Sequence, residues 1–460
     1  LATMRCARFH GRLHRIITME IERTARAIVS RLQAAGHTAY YAGGCVRDAL
    51  RGIAAKDYDI ATSARPEEVQ ALFPRHVAVG AHFGVIAVLD HGHQFEVASF
   101  RADGVYIDGR RPVDVTFTTA QGDAERRDFT VNGMFFDPIA NQVIDYVGGQ
   151  SDLAARVLRA IGEPAARFRE DRLRLLRAVR FGAGLGFEIE AGTWRAVCAQ
   201  AAEIGVISAE RIRDELVKIF VSPTRVAGFD LLDASGLLRA VLPEVDALKG
   251  CEQPPAFHPE GDVFVHTRLM LSLLPEMVSV PLVFSVLLHD IGKPACFSQD
   301  PAEGNRIRFS GHEYEGANMA WRVMERLRFS RAEIDATVEA VRQHMAFKDV
   351  QQMRVAKLKR FMARPGFEDE MELHRVDCAG SHGMLDNHVF LRAKQEEFAR
   401  EPLIPKPLVT GHDLIAFGLK PGPKIGELLE AAQTRQLEGN FADREEALAW
   451  ARGEVENLAG

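Results

Sequence analysis

The 460-residue sequence predicts a multidomain α/β plus all-α protein, with a small mixed sheet in its first third and helices beyond it. Three observations carry this. The chain is too long for one ordinary core. Short strand-like apolar runs alternate with helical segments up to Asp145. After Asp145 the alternation stops, and apolar residues recur at helical spacing. With 47% hydrophobic and 26% charged residues the composition is that of a globular protein. The longest apolar run, Pro281 to Leu288, falls well short of a membrane span.

Six scattered cysteines, none in a C-x-x-C pair, argue against a disulfide framework or a cysteine-built zinc site and suit a reducing cytoplasm. A formal net charge of −6 does not advertise nucleic-acid binding, so any RNA surface rests on local clustering. Residues 1–18 are arginine-rich and acid-free. They are expected to be an extension from a start placed too early, with Met19 opening the protein.

Glu20 to Ala35 reads as an amphipathic helix stopped by Gly36. Tyr40 to Thr62 (YYAGGCVRDALRGIAAKDYDIAT) reads as strand, glycine turn, short helix, loop and second strand. On that strand Asp57 and Asp59 face the same way, because side chains alternate with a period of two. Two parallel carboxylates repel unless a cation sits between them, and a hard divalent ion suits the pair. Upstream, Gly43 and Gly44 let the backbone approach a ligand, and the helix starting near Cys45 aims amides at it, a phosphate cradle. Together the two features suggest metal-assisted phosphoryl or nucleotidyl transfer.

A short helix follows over Pro66 to Phe73, then strands over Gly84 to Asp90, Gln94 to Ser99 and Asp114 to Phe117. His91 to His93 is expected to be a hairpin turn of solvated histidines. Glu96, on the strand after it, is a candidate third carboxylate for a two-metal site. Arg101 to Pro112 reads as a loop. In Arg126 to Pro138, Arg127 suits a triphosphate through bidentate guanidinium contacts, and Asp128 and Asn132 suit a ribose hydroxyl. Glu163 to Phe181 reads as one amphipathic helix with arginines, including Arg177 and Arg180, on one side. Ser208 to Phe220 is a further amphipathic helix opened by a serine cap.

The strings around Gly43–Asp59, Arg127–Asn132 and Glu170–Arg174, in that order, resemble the nucleotidyltransferase branch that contains bacterial CCA-adding enzymes and poly(A) polymerases. The resemblance implies a polymerase-β-like head over residues 19–150 and a helical neck over 151–250. It implies Mg²⁺ held by Asp57, Asp59 and Glu96, and nucleotide binding by Gly43, Gly44, Arg47, Arg127, Asp128, Asn132, Arg177 and Arg180. Asp171 and Arg174 would read the edge of the incoming base, a carboxylate accepting from the exocyclic amine of C or A and a guanidinium donating to a ring acceptor. Glu210 and Arg211 would brace that helix, and the Arg101–Pro112 loop would assist the change from C to A. Alanine is common in the family where this chain has Gly133.

Prolines and glycines from Pro243 to Gly261 mark a boundary. Beyond it, His266, His289, Asp290, His312, His344 and Asp377 on separate helices can converge on a divalent metal of unstated identity. Their order and the string LLHDIGKP resemble the HD superfamily of metal-dependent phosphohydrolases, implying an HD domain over 251–400 in which Lys293 contacts phosphate. His374 and His382 are either supports or surface residues. A helical tail is expected over 401–460.

The resulting expectation is template-independent addition of CCA to a tRNA 3′ end from CTP and ATP, in the cytoplasm, with no membrane partner and no assigned oligomeric state. Poly(A) polymerase or a partial CC- or A-adding enzyme acting on other RNA is the alternative with the same chemistry. A phosphohydrolase acting through His289 and Asp290, or a non-catalytic RNA-binding protein, belongs to a different class.

Overall fold

The computed structural model describes residues 19–55, 57–80, 84–103, 115–255, 258–300, 306–399 and 402–459. The expected 1–18 extension and most of the Arg101–Pro112 loop lie outside them. The chain divides into two compact units, the first ending at Pro243 and the second beginning at Glu244. Among the described residues no helix is long and apolar enough to cross a membrane.

The first unit opens with α1 (19–34), followed by Gly36 at φ 90°, a left-handed stop that glycine adopts freely. Then come β1 (Ala39–Ala42), α2 (Gly44–Leu50), β2 (Asp59–Thr62), α3 (Pro66–Leu72), β3 (His76–Gly80), β4 (Val85–Asp90) and β5 (His93–Ser99). After these run β6 (Arg101–Asp103), β7 (Val115–Phe117), α4 (Ala120–Glu125), β8 (Phe135–Asp137), β9 (Gln142–Ile144) and α5 (Gly149–Ala155). Seven strands form one mixed sheet in the order β3-β4-β5-β2-β1-β8-β9, in which β2 and β5 are parallel. The β4–β5 turn is the expected hairpin. Asp90 pairs with His93, and His91 and Gly92 take φ 46° and 77°, the signs a type I′ loop requires.

Strand alternation sorts the core into two layers. Tyr41, Ile60, Phe95 and Val97 point to one face, where Ile28, Val29 and Leu32 of α1 cover them. Ala42, Ala61 and Phe135 point to the other, against Phe100, Ala120 and Ala124. Asp59 has the parity of Ala61, and Glu96 that of Ala98. Both therefore stand on the second face.

The neck follows as β10 (Val157–Leu158), α6 (Pro164–Glu170), α7 (Leu173–Leu185), β11 (Glu188–Ile189), α8 (Ala191–Gln200), α9 (Ala209–Val221), α10 (Arg225–Ala234) and α11 (Leu237–Val241). The single helix expected over Glu163 to Phe181 is two. Asp171 takes extended φ/ψ of −135° and 103°, and its Oδ1 accepts the amide of Leu173 at 3.0 Å. An aspartate that bonds the amide two residues on is a helix-start signal, and here it overrides a continuous apolar period. Ser208 does precede α9, but its side chain makes no capping bond.

After α12 (Pro243–Asp246) at the boundary, the second unit contains α13 (Val263–Leu273), α14 (Val280–Leu288), α15 (Lys293–Cys296), the hairpin β12 (Ser298–Asp300) and β13 (Arg306–Arg308), α16 (His312–Arg326) and α17 (Arg331–Gln343). It continues through a 3₁₀ stretch (His344–Gln352), α18 (Val355–Met362), α19 (Phe367–Gly380), α20 (Asp386–Phe398), α21 (Gly411–Ala416), α22 (Pro423–Leu437) and α23 (Arg444–Ala459). α14 is buried along its length from Leu282 to Leu288, and it delivers His289 and Asp290 to the interior at its C-terminal end.

Candidate active site and metal centre

In the first unit the site grows from sheet register. Ile60 lies level with Val97 in the parallel pair, so Asp59 and Glu96, one residue earlier, sit side by side on the same face. On the other side Asp59 pairs with Ala42, which brings Gly43 alongside. Gly43 has φ 73°, and a methyl there would lie 3.2 Å from Arg127 Nη1 and 3.8 Å from Asp59 Oδ2. Only glycine leaves this approach open. Asp57 is not on the strand: β2 begins at Asp59, and Asp57 occupies the bend before it.

Asp59 remains reachable by water, yet the surrounding protein is dense enough to matter. Burial, then the charge of Glu96, push its carboxyl upward; Arg127 opposes them and Asp57 adds to them. Asp59 and Glu96 on one face, with the charge of Asp57 nearby and the Arg127 guanidinium beside them, make a donor set that a divalent cation would neutralise. Asp57, Asp59 and Glu96 are spread more widely than the tight metal-type clusters of the second unit.

The arginines stand in a chain of acid and amide partners. Asp123 of α4 binds Arg127 through Nε and Nη2 at 3.2 and 2.9 Å, leaving Nη1 with only a 3.5 Å contact to the Asn132 carbonyl. Arg126 shares the same carboxylate, and together the two arginines hold buried Asp123 below its ordinary value against the effect of burial. Arg47 donates to Asn132 Oδ1 at 2.7 Å, Asn132 donates to Asp128 Oδ1 at 3.1 Å, and Arg177 donates to Asp128 Oδ2 at 2.7 Å. Burial would raise Asp128, but the Arg177 guanidinium and the Asn132 and Phe129 donors lower it to about 2. Both oxygens of Asp128 are therefore occupied, and a ribose contact requires exchanging one of these bonds. Arg180 binds Glu215 of α9 at 2.5 Å and lies over the Phe181 ring, 4.0 Å from its centroid.

The break between α6 and α7 exposes Asp171 from the helix register. Its Oδ2 accepts from Arg211 at 2.8 Å, the bracing contact. Arg174 is buried; it donates to Glu170 at 2.8 Å and to the carbonyls of Arg167 and Arg126 at 2.9 and 3.0 Å. Gly133 has a packing reason: a methyl there would come within 2.7 Å of Val147 Cγ2.

The second unit brings its six predicted ligands together. His266, His289 and Asp377 form one tight group, and Asp290, His312 and His344 another. Each of three histidines donates Nδ1–H to the carbonyl three residues earlier: His289 to Val286 at 2.9 Å, His312 to Phe309 at 2.8 Å and His344 to Val341 at 2.6 Å. That fixes the tautomer and turns each Nε2 lone pair inward. The Nε2 atoms of His312 and His344 meet at 3.1 Å, and His266 Nε2 lies 3.1 Å from Asp377 Oδ1. His289 Nε2 and Asp290 Oδ2 are 3.0 Å apart and buried, with no well-directed hydrogen bond to either. Imidazole and carboxylate lone pairs turned toward one another in this way fit a divalent metal.

Lys293 is buried, with Nζ 2.6 Å from Asp290 Oδ2 and from Gln253 Oε1. A cavity of about 740 Å³ opens onto the cluster between Lys293, Arg306, Arg308, Lys348 and His382. His374 lies apart, stacked on Phe347 with ring centroids 5.0 Å apart, as a core residue. The residues not foreseen from sequence are Asp123, Glu215 and Glu260: Asp123 holds Arg127 four residues on, Glu260 faces His266 six residues on, and Glu215 holds Arg180 across 35 residues.

Comparison with known proteins places matches along the chain. Family profiles match for the poly A polymerase head domain over residues 39–159, the probable RNA and SrmB-binding site of polymerase A over 186–249, the HD domain over 263–378, and the putative tRNA nucleotidyltransferase domain 2 over 402–451. The CCA-adding enzyme of Streptococcus mutans serotype c is 31% identical across 92% of this chain and 95% of its own length. The CCA-adding enzyme of Geobacillus thermodenitrificans is 44% identical, in a match spanning 46% of this chain and about half, 53%, of that relative. Among solved structures, the Bacillus stearothermophilus CCA-adding enzyme in complex with CTP aligns with a TM-score of 0.70 at 25% identity, covering 95% of this chain and 98% of the other. The Thermotoga maritima CCA-adding enzyme complexed with tRNA shares the fold at a TM-score of 0.59 and 22% identity, over 95% of this chain and 96% of that one.

Proposed function

This chain belongs to the family of CCA-adding enzymes, and we propose that it extends tRNA 3′ ends with C, C and A from CTP and ATP in the cytoplasm. The observation that carries the reading is Asp59, level with Glu96 on the sheet and flanked by Gly43 and Arg127.

Asp57, Asp59 and Glu96 would hold Mg²⁺, which when bound acidifies the attacking 3′-hydroxyl and takes charge from the leaving pyrophosphate. The chain's own residues do the rest. Gly43 and Gly44 let the triphosphate approach the backbone, and Arg127 offers Nη1 to it while Asp123 keeps the guanidinium plane in place. Asn132 and Asp128 orient Arg47 and Arg177, so their part in nucleotide binding is to aim cations at phosphate and ribose. Arg180 extends that basic run. Asp171 and Arg174 read the base edge, held by Arg211 and Glu170 respectively. The domain reading is a head over 19–150, a neck over 151–250, an HD domain over 251–400 and a tail over 401–460.

The test is a gel assay with Mg²⁺ on tRNA lacking CCA, tRNA ending in CC, and an unstructured RNA. Addition of CCA to the first and one A to the second, then arrest, supports this reading. Long A tails on any RNA make the protein a poly(A) polymerase, and stopping after CC makes it a partial enzyme.

A second reading concerns the second unit alone. His266, His289, Asp290, His312, His344 and Asp377 hold a divalent transition metal beside a basic cavity, which suits hydrolysis of a phosphate ester. Metal-dependent release of phosphate from simple esters, lost in His289→Ala, tests it.

A further inference from the structure

Three of the four clustered histidines are oriented by a backbone carbonyl; His266 is not. It is the fourth residue of α13, completely buried, and among the described residues no carbonyl accepts from its Nδ1. Instead Glu260 Oε1 lies 2.7 Å from His266 Nδ1, within ion-pair reach but off the ideal hydrogen-bond direction, while His266 Nε2 faces Asp377 on the opposite edge of the ring. The same Glu260 oxygen is 2.9 Å from His258 Nδ1, and the His258 and His266 rings meet edge to face with centroids 5.1 Å apart. The Glu260 side chain is itself only 8% exposed, and its second oxygen is buried with no hydrogen-bond partner among the described residues. A carboxylate desolvated in this way, between two imidazoles and six residues from one of them, is a costly feature for a loop that only needs to turn.

We propose that Glu260 is a positioning residue of the metal centre. It accepts Nδ1–H from His266 and so commits Nε2 to the metal side, as the Val286, Phe309 and Val341 carbonyls do for the other three histidines. A carboxylate does this more strongly than a carbonyl, because it also makes the imidazole a better donor. His258 steadies the carboxylate from its other side. The inference rests on the reading of the second unit as a metal centre.

The test is Co²⁺ binding to metal-stripped full-length protein, measured by competition with a chromogenic chelator and by the visible Co²⁺ spectrum. Wild type, Glu260→Ala, Glu260→Gln and His289→Ala are compared, with nucleotide addition and apo-protein thermal unfolding as checks on folding. Glu260→Ala is expected to bind Co²⁺ about 10–100-fold more weakly with an altered spectrum. Glu260→Gln, whose amide oxygen still accepts from Nδ1–H, is expected to lose less. Wild-type affinity and spectrum in both Glu260 variants overturn the proposal. So does clean loss of one metal equivalent with the remaining affinity unchanged, which would make Glu260 a ligand. If wild type takes up no Co²⁺, or His289→Ala binds as wild type does, the metal-centre reading itself fails.

Discussion

The two clusters of ionisable groups are built on opposite plans. In the first unit Asp57, Asp59 and Glu96 are open to water, and the arginines around them are each tied to an acid or amide of the protein. In the second, the four histidines and Asp290 are buried, Asp377 is partly exposed, and the outer ring edges of His289, His312 and His344 are bonded to backbone carbonyls. An open sheet face with anchored cations suits a large substrate that comes and goes. A closed, tautomer-locked cluster suits an ion that stays. The difference should appear as independence: breaking one site should leave the other working.

The largest effect is expected from Asp59→Ala. Nucleotide addition should fall by roughly a thousandfold, equivalent to about 4 kcal/mol at the barrier, while transition-metal content is unchanged. Equal loss of both would contradict the separation. The converse variant, His289→Ala, should empty the second unit of transition metal and abolish any phosphatase activity. CCA addition should stay within about twofold, because the substitution lies in the other compact unit. A parallel collapse of tRNA extension would show that the two units are coupled.

How far the sequence reveals each plan follows from the range of the contacts. Gly43, Asp59 and Glu96 were legible because period-two alternation and a glycine turn are local rules, and the sheet register only had to set them level. Asp57 was misplaced by one local assumption, that the strand already runs through it. The stretch from Glu163 to Phe181 reads as one continuous helix because Leu173, Leu176 and Val179 show a clear helical period, and nothing in that period reveals the break that one aspartate side chain makes just before them. Glu215 is recognisable only once folding has brought Arg180 to it across 35 residues. Asp123 carries a local signal that went unused, the i,i+4 spacing to Arg127, and Glu260 lies in the segment before α13, where no periodicity points at His266.

Arg174 sharpens the comparison at the neck. Truncating it removes the bonds to the Arg167 and Arg126 carbonyls and one of the two arginines on Glu170, which keeps Arg167, a cost of about 1–3 kcal/mol in stability. Its effect on base choice should be separate. Preference for CTP and ATP over UTP and GTP should drop by about 10–100-fold in kcat/KM, with less loss of turnover on the correct nucleotide. An unchanged preference at reduced stability would make Arg174 a scaffold residue only.

Gly43→Ala is expected to be milder, since it forces a side chain into a positive-φ backbone (φ 73°, ψ −128°) at a cost of about 1–3 kcal/mol. Its methyl also crowds Arg127 Nη1. The effect should be a several-fold rise in KM for the triphosphate with metal content unaltered. A wild-type KM would show that Arg127 does not reach phosphate from its present position.

The smallest expected effect tests the anchoring itself, through pH. Burial pushes Asp128 up, but Arg177 and the neighbouring donors win and depress it to about 2, below the 3.8 of an ordinary aspartate. Because the folded value is the lower one, the stabilisation is complete above about pH 4 and disappears as pH falls through about 2. The shift corresponds to about 2 kcal/mol. It can be isolated by comparing Asp128 with Asp128→Asn in a background where Trp321 and Trp450 are phenylalanine, so that Trp194 alone reports the first unit. The stability difference between the two proteins should be largest near neutrality and narrow between pH 4 and 2 by roughly that amount. A difference that is flat across this window would mean that the Arg177 pair is not what holds the carboxylate. Asp128 would then be free to meet a ribose, and the first unit would be as open at this position as it is at Asp59.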